Sequence, residues 1–338
     1  MMNYAALNNA PRLLITVPLH PVQGDRFQPT GFADIGAAEY SRPDKEDGRK
    51  GIPMLLVESA QSVANRLEKT CIDGDGPDID PDLRGLPYVA AILDSGGKVK
   101  TLRTSSLVEA HRLASPYLIK NSVKNSFGER LAAEMEYTQK GPLDWKKIYS
   151  VLFKYDPNAL IHGVFLSLLY DGRVRVPRAV TGFIEAANVK QVVSGGVKNS
   201  QIDPKGGIQV EGVSEKGVFS NVPYSRVEYV GELAAYFNLD LSLIRGYGLP
   251  ISAQHLLIAL SLLKIRRFLD SHLRLRTACD LEILGSVRVD KPIEFELPAG
   301  SELLSEVKRL IVECKPCFAE PAITELDVKV KVAATRED

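Results

Sequence analysis

The sequence has little that would serve export, a metal centre or covalent catalysis. Four cysteines in 338 residues, Cys71, Cys279, Cys314 and Cys317, are too few and too unevenly spaced for a disulfide framework, which fits a reducing cytoplasm. Cys314-Lys315-Pro316-Cys317 is a lone C-x-x-C. With no second C-x-x-C and no H-x-x-x-H, zinc would lack two of its four ligands, and no metal is expected. The loop Asp73-Gly74-Asp75-Gly76-Pro77-Asp78-Ile79-Asp80 has Asp78 and Arg84 where a calcium loop needs Gly and Glu, so it reads as acidic and solvated. The five histidines, His20, His111, His162, His255 and His272, have no spacing that brings two together locally. Gly246-Tyr247-Gly248 lacks both the G-x-G-x-x-G continuation and a Walker lysine, and no G-x-S-x-G element occurs, so no cofactor is expected. The longest strongly apolar run, residues 256–263, is far below the roughly 20 residues that cross a bilayer. No basic segment followed by an apolar core opens the sequence, and the expectation is a cytoplasmic protein with no membrane partner.

The chain also lacks net charge, with 42 basic and 42 acidic residues. Taken whole, that argues against a phosphate binder. The distribution argues the other way. Residues 98–130 hold seven Lys or Arg against two Glu, and residues 173–205 hold six against two acids. Residues 278–338 hold eight against thirteen, so a basic middle and an acidic end cancel in the total. A molecule with two such poles can stack head to tail on itself.

Hydrophobic patterning predicts an α+β chain in which strands and helices mix without regular alternation. Strands are expected over 12–19, 52–57, 174–189, 227–243, 278–284 and 323–332. A hairpin is expected where 88–93 and 98–104 flank Asp94-Ser95-Gly96-Gly97. Helices are expected over 105–118, 126–137, 143–155, 252–275 and 301–314, whereas 159–169 is apolar enough for either state. Residues 20–51 and 193–219, broken by Pro and Gly, read as a loop and a mobile insertion. In the 252–275 helix, Lys264, Arg266, Arg267 and Arg274, followed by Arg276, make the second half basic.

The densest run of binding chemistry is Val57-Glu58-Ser59-Ala60-Gln61-Ser62-Val63-Ala64-Asn65-Arg66-Leu67-Glu68. An apolar strand there hands over to a helix that Ser59 can cap, with Gln61, Asn65 and Arg66 offering donors to a polyanion and no nucleophile nearby. This stretch resembles the signature of the type I-G (formerly I-U) CRISPR-associated RAMP family, the backbone subunit of a Cascade-type effector. The resemblance extends to Gln28-Pro29-Thr30-Gly31-Phe32, Gly36-Ala37-Ala38-Glu39-Tyr40 and His111-Arg112-Leu113-Ala114. It continues through Asp156-Pro157-Asn158-Ala159-Leu160-Ile161-His162-Gly163-Val164-Phe165, Arg175-Val176-Pro177-Arg178-Ala179 and Gly246-Tyr247-Gly248-Leu249-Pro250.

That resemblance implies an RRM-like (ferredoxin-like) palm carrying finger- and thumb-like insertions, assigned to 20–51 and 193–219 of a single elaborated domain spanning 1–338. The aromatic RNP motifs with which ordinary RRMs stack bases are not present, so phosphate and ribose contacts are expected instead. A subunit that accepts any guide must leave base edges free. Many copies along one CRISPR RNA, together with other Cascade subunits, would present it for pairing with target DNA. The residues expected to touch RNA are Gln61, Asn65, Arg66, Arg112, Arg175, Arg178, Lys198, Arg245, Arg266 and Arg267. The alternative is a RAMP-family endoribonuclease, which would need converging histidines, a histidine with a lysine, or an acid in a protruding loop such as Asp34 or Asp44.

Overall fold

The computed structural model describes residues 2–32, 36–48, 50–96, 102–122, 125–205, 207 and 221–330. Strands β1 (Arg12–Pro21), β2 (Glu39–Pro43) and β3 (Gly51–Glu58) precede helix α1 (Ala60–Lys69). Strands β4 (Tyr88–Asp94) and β5 (Leu102–Ser105) then pair antiparallel, as expected; Gly97 of the expected turn and residues 98–101 lie outside the described residues. Helices α2 (Phe127–Glu134), α3 (Trp145–Tyr155) and α4 (Asn158–His162) follow. Two long strands, β6 (Val180–Lys198) and β7 (Val222–Asp240), lead to helix α5 (Ile251–Asp270). The chain closes through β8 (Arg274–Arg276), β9 (Cys279–Ile283), β10 (Arg288–Lys291), α6 (Gly300–Cys314) and β11 (Ile323–Lys329).

The protein is mixed α+β. Its main sheet runs β8-β9-β1-β7-β6-β3-β2, with β10 also paired to β1, and its pairings are antiparallel. Because β1 and β6 flank β7, they run parallel to each other, and α1 lies in the connection between them. Because β7 and β9 flank β1, they too run parallel, with α5 in their connection. A smaller sheet, β11-β4-β5, pairs the last described strand in parallel with β4.

Side-chain periodicity explains the layering. Leu13, Ile15, Val17 and Leu19 alternate along β1 and are buried, and Leu233, Ala235, Phe237 and Leu239 do the same on β7. In register, Ile15 faces Phe237 and Val17 faces Ala235. Helix α1 is amphipathic and buries Val63, Ala64 and Leu67. Helix α5 buries residues almost all round, from Ala253 to Leu269, as expected of a helix enclosed by sheet and by α6. Among the described residues, no helix is long and apolar enough to cross a membrane.

Four segments depart from the sequence reading. Residues 105–118 do not form one helix: Arg112 has φ 52°, and Pro116 starts a separate short turn of helix after Ser115. Within 20–51, β2 pairs with β3 as an edge strand, its five residues all exposed. An edge strand tolerates the charges and Pro43 that made it read as loop. Residues 193–198 continue β6 in register with 222–227 of β7 as a two-stranded arm; residues 208–220 lie outside the described residues. Helix α5 stops at Asp270, where His272 and Leu273 adopt positive φ and turn the chain into β8.

Candidate nucleic-acid interface

Helix α1 organises the site. Ser59 caps it by accepting from the Ser62 amide at 3.2 Å, and Gly51–Glu58 delivers the chain to that cap from inside the sheet. At about 100° per residue, Gln61, Asn65 and Glu68 share one face of the helix, and Ser62 and Arg66 share the next. Each face carries its own polar cluster.

On the Arg66 face the centre is Glu58, 1% exposed. Its carboxylate accepts from Arg66 Nε at 2.7 Å, from the Ser62 hydroxyl and from the Arg276 guanidinium. The two arginines also reach main-chain carbonyls, Arg66 to Leu275 at 2.7 Å and Arg276 to Gln28 at 3.1 Å. One acid serves two cations, so the cluster carries an excess positive charge. Burial lowers the pKa of both guanidiniums from the ordinary arginine value.

On the Gln61 face, Gln61 donates to Asn65 at 2.8 Å and accepts from the Arg178 guanidinium. Arg112 forms a two-pronged pair with Glu68, its Nη2 at 2.9 Å from Oε2. The positive φ of Arg112 turns its side chain onto α1. Arg178, half-buried, has an amide for its partner while the neighbouring acid is taken by Arg112. Burial and then the Arg112 charge lower its pKa. This guanidinium is the one in the cluster best placed to exchange its partner for an anion.

The remaining expected residues sit elsewhere. Arg267 holds the far end of α1, donating to the Thr70 carbonyl at 2.8 Å and to Asp80 at 3.2 Å. Arg175 is exposed on the short hairpin before Arg178, with its guanidinium 4.3 Å from the Phe165 ring centroid. Arg245 ties down the N-terminal segment through the carbonyls of Leu7 and Ala10 at 3.2 and 2.8 Å, and Arg266 pairs with Asp270 at 3.3 Å. Lys198 lies at the last paired position of the arm, about 60 Å of strand from Val180 at ~3.3 Å per residue. Thus Gln61, Asn65, Arg66, Arg112 and Arg178 come together around α1, and Lys198, Arg245 and Arg266 do not join them.

Behind this surface lies a cluster the sequence reading did not anticipate. Lys264, counted there among the basic half of its helix, is wholly buried. Its ammonium donates to Asn158 Oδ1 at 2.6 Å and contacts His162 Nε2 at 2.7 Å. Burial, and then the Lys264, Arg112 and Arg178 charges, hold the His162 pKa well below its ordinary value, so the imidazole is neutral. It accepts from Lys264 through Nε2, and its Nδ1 makes no hydrogen bond among the described residues. A histidine and a lysine do therefore meet, across 102 positions of sequence. They are 1% and 0% exposed and offer no open face to a substrate phosphate. Of the loop acids considered for cleavage, Asp44 accepts from the Glu46 amide at 2.9 Å, and Asp34 lies outside the described residues. No group of three or more His, Cys, Asp or Glu that could hold a metal occurs among the described residues.

Fold and site together define a mixed α+β protein that presents paired guanidinium and amide groups on two faces of one helix. Residues 13–191 match the family model of CRISPR-associated protein GSU0053, more than half of the chain, and the chain belongs to that family. A chain of a solved structure described as "CRISPR RNA-guided surveillance complex, pre-nicking" is similar over 95% of this chain and 96% of its own, at 13% identity and a TM-score of 0.41. No curated protein matches.

Proposed function

We propose that the chain is a non-catalytic backbone subunit of a type I-G Cascade effector, gripping CRISPR RNA through phosphate and ribose contacts that do not depend on sequence. Copies of it line up along the guide, meet other Cascade subunits and leave the bases free to pair with target DNA. The observation that carries this reading is the convergence of Gln61, Asn65, Arg66, Arg112 and Arg178 on α1 from three separate parts of the chain. Membership of a CRISPR-associated family supports it. An interface built from arginines and amides suits a polyanion, because each phosphate neutralised releases counterions without reading a base.

The strand order β9-β1-β7-β6, with α1 and α5 in the two crossovers, supports an RRM-like, ferredoxin-like palm. On that palm the β6–β7 arm is the thumb-like insertion and the segment containing β2 is finger-like, within one elaborated domain. Arg175 and Arg267 extend the α1 track at either side. Lys198, at the last paired position of the arm, and Arg245 and Arg266, away from α1, are proposed as contacts at the margins of the same guide.

Arg178→Ala is the cleanest test, since among the described residues Arg178 holds no acid that its loss would strand. It is expected to weaken binding of single-stranded RNAs of unrelated sequence to the same degree and to reduce the slope of log affinity against log salt by about one. Fluorescence polarisation over a salt series measures both. A loss confined to one RNA sequence would refute phosphate recognition.

A further inference from the structure

Lys264 is a fully buried cation whose two hydrogen-bond partners are neutral; its charge is felt by the buried Asp156 carboxyl, but no direct ion pair to it occurs among the described residues, and such burial is costly. Its position explains what the cost accomplishes. The ammonium bridges Asn158 and His162, residues i and i+4 on one face of α4, and so fixes that helix to α5. Helix α4 is also held by Tyr247, whose hydroxyl donates to the Leu160 carbonyl at 2.9 Å.

The next residue, Gly163, has φ 77°, and a Cβ there would sit 2.8 Å from the Val176 carbonyl oxygen and 3.1 Å from the Arg178 amide nitrogen. The end of α4 therefore lies directly against the Pro177–Arg178 backbone. One residue on, the Ala179 amide donates to the Ile161 carbonyl at 2.9 Å. A contact chain runs from Lys264 through His162 and Gly163 to the main chain of Arg178, whose guanidinium in the Gln61 cluster has no acidic partner among the described residues.

We propose that Lys264 is a positioning residue for RNA binding, locking the α4 turn so that Arg178 is presented to the RNA backbone at a fixed place beside α1. The proposal rests on the RNA-binding reading given above. It goes beyond that reading in assigning a role to a side chain that RNA never touches.

A double-mutant cycle on the full-length chain tests it, using a fluorescein-labelled single-stranded RNA of arbitrary sequence. Lys264→Met is expected to weaken binding about fivefold, and to weaken it no further when combined with Arg178→Ala. Because Lys264 meets no phosphate, its loss leaves the salt slope at the wild-type value. Asn158→Asp keeps an acceptor for the ammonium and is expected to bind RNA like wild type, whereas Asn158→Leu reproduces the Lys264→Met loss. The asparagine pair carries the test by itself if the lysine variant does not fold. Equal losses with and without the Arg178→Ala substitution, or wild-type affinity in both Lys264→Met and Asn158→Leu, would overturn the proposal. Failure of the wild-type chain to bind any RNA would instead overturn the reading on which it rests.

Discussion

Glu58→Gln is expected to destabilise the folded chain by about 3 kcal/mol, the low end of the cost of removing one partner from a buried ionic cluster. Glutamine has the same size and keeps one acceptor oxygen, so packing against Val57 and α1 is unaffected. What changes is that Arg66 and Arg276 lose the single carboxylate between them. The new amide must also turn its NH2 group towards one of them. Both guanidiniums keep a main-chain carbonyl and are partly exposed, at 29% and 23%, which holds the cost at the lower limit. Urea denaturation reads the effect as a lower midpoint at unchanged slope. A midpoint within a few tenths of wild type would mean that water already screens the cluster and that Glu58 is not its electrostatic centre.

The same substitution separates stability from binding. It leaves the cationic groups in place and makes the site more positive, so the variant that remains folded is expected to bind RNA at least as tightly as wild type. A stabilising acid between two arginines that a polyanion could also engage is the compromise expected of an interface that must stay folded without its ligand.

Much of the layout was legible in the sequence because it depends on local rules. The Ser59 cap, the alternating β1, the β4–β5 hairpin and the amphipathic α6 all follow from patterns spanning fewer than twenty residues. Glu58, Ser62 and Arg66 were visible as a dense polar stretch. Arg276 was not visible as their partner, since it lies 218 positions from Glu58. Lys264 was grouped with Arg266 and Arg267 by composition, although Leu256, Leu260, Lys264 and Phe268 repeat every four residues along the buried stripe of α5. That spacing was a signal that the lysine points inward. What no pattern could supply was its partner, 102 residues earlier at His162. Residues 105–118 failed for a different reason: their composition permits a helix, but Arg112 takes a left-handed backbone conformation where its side chain forms the two-pronged pair with Glu68.

Asp156→Asn is expected to stabilise the protein by about 3 kcal/mol above pH 7 and by nothing below pH 4. Asp156 is fully buried at the start of α4, where its Oδ1 accepts from the Asn158 amide at 3.0 Å. Burial raises its pKa from 3.8 to about 6, against the opposing pull of the Ser106 hydroxyl, the Asn158 amide and the Lys264 charge. A carboxyl whose pKa is higher folded than unfolded binds its proton more tightly in the native state. Between pH 4 and pH 6 the folded chain therefore holds the proton that the unfolded chain has released, and stability falls as pH rises through that window. Above it the full penalty of a buried carboxylate remains. Asparagine keeps the Oδ1 acceptor for the Asn158 amide and removes the ionisation. Denaturation of wild type and variant at matched pH values from 4 to 8 isolates this group, because titrations not coupled to it cancel in the difference. A difference that stays flat with pH would show that Asp156 ionises in the fold as freely as in the unfolded chain. A difference that grows through pH 4–6 would show that the turn behind Arg178 is held at a cost in stability, as a segment selected for placing a binding residue is expected to be.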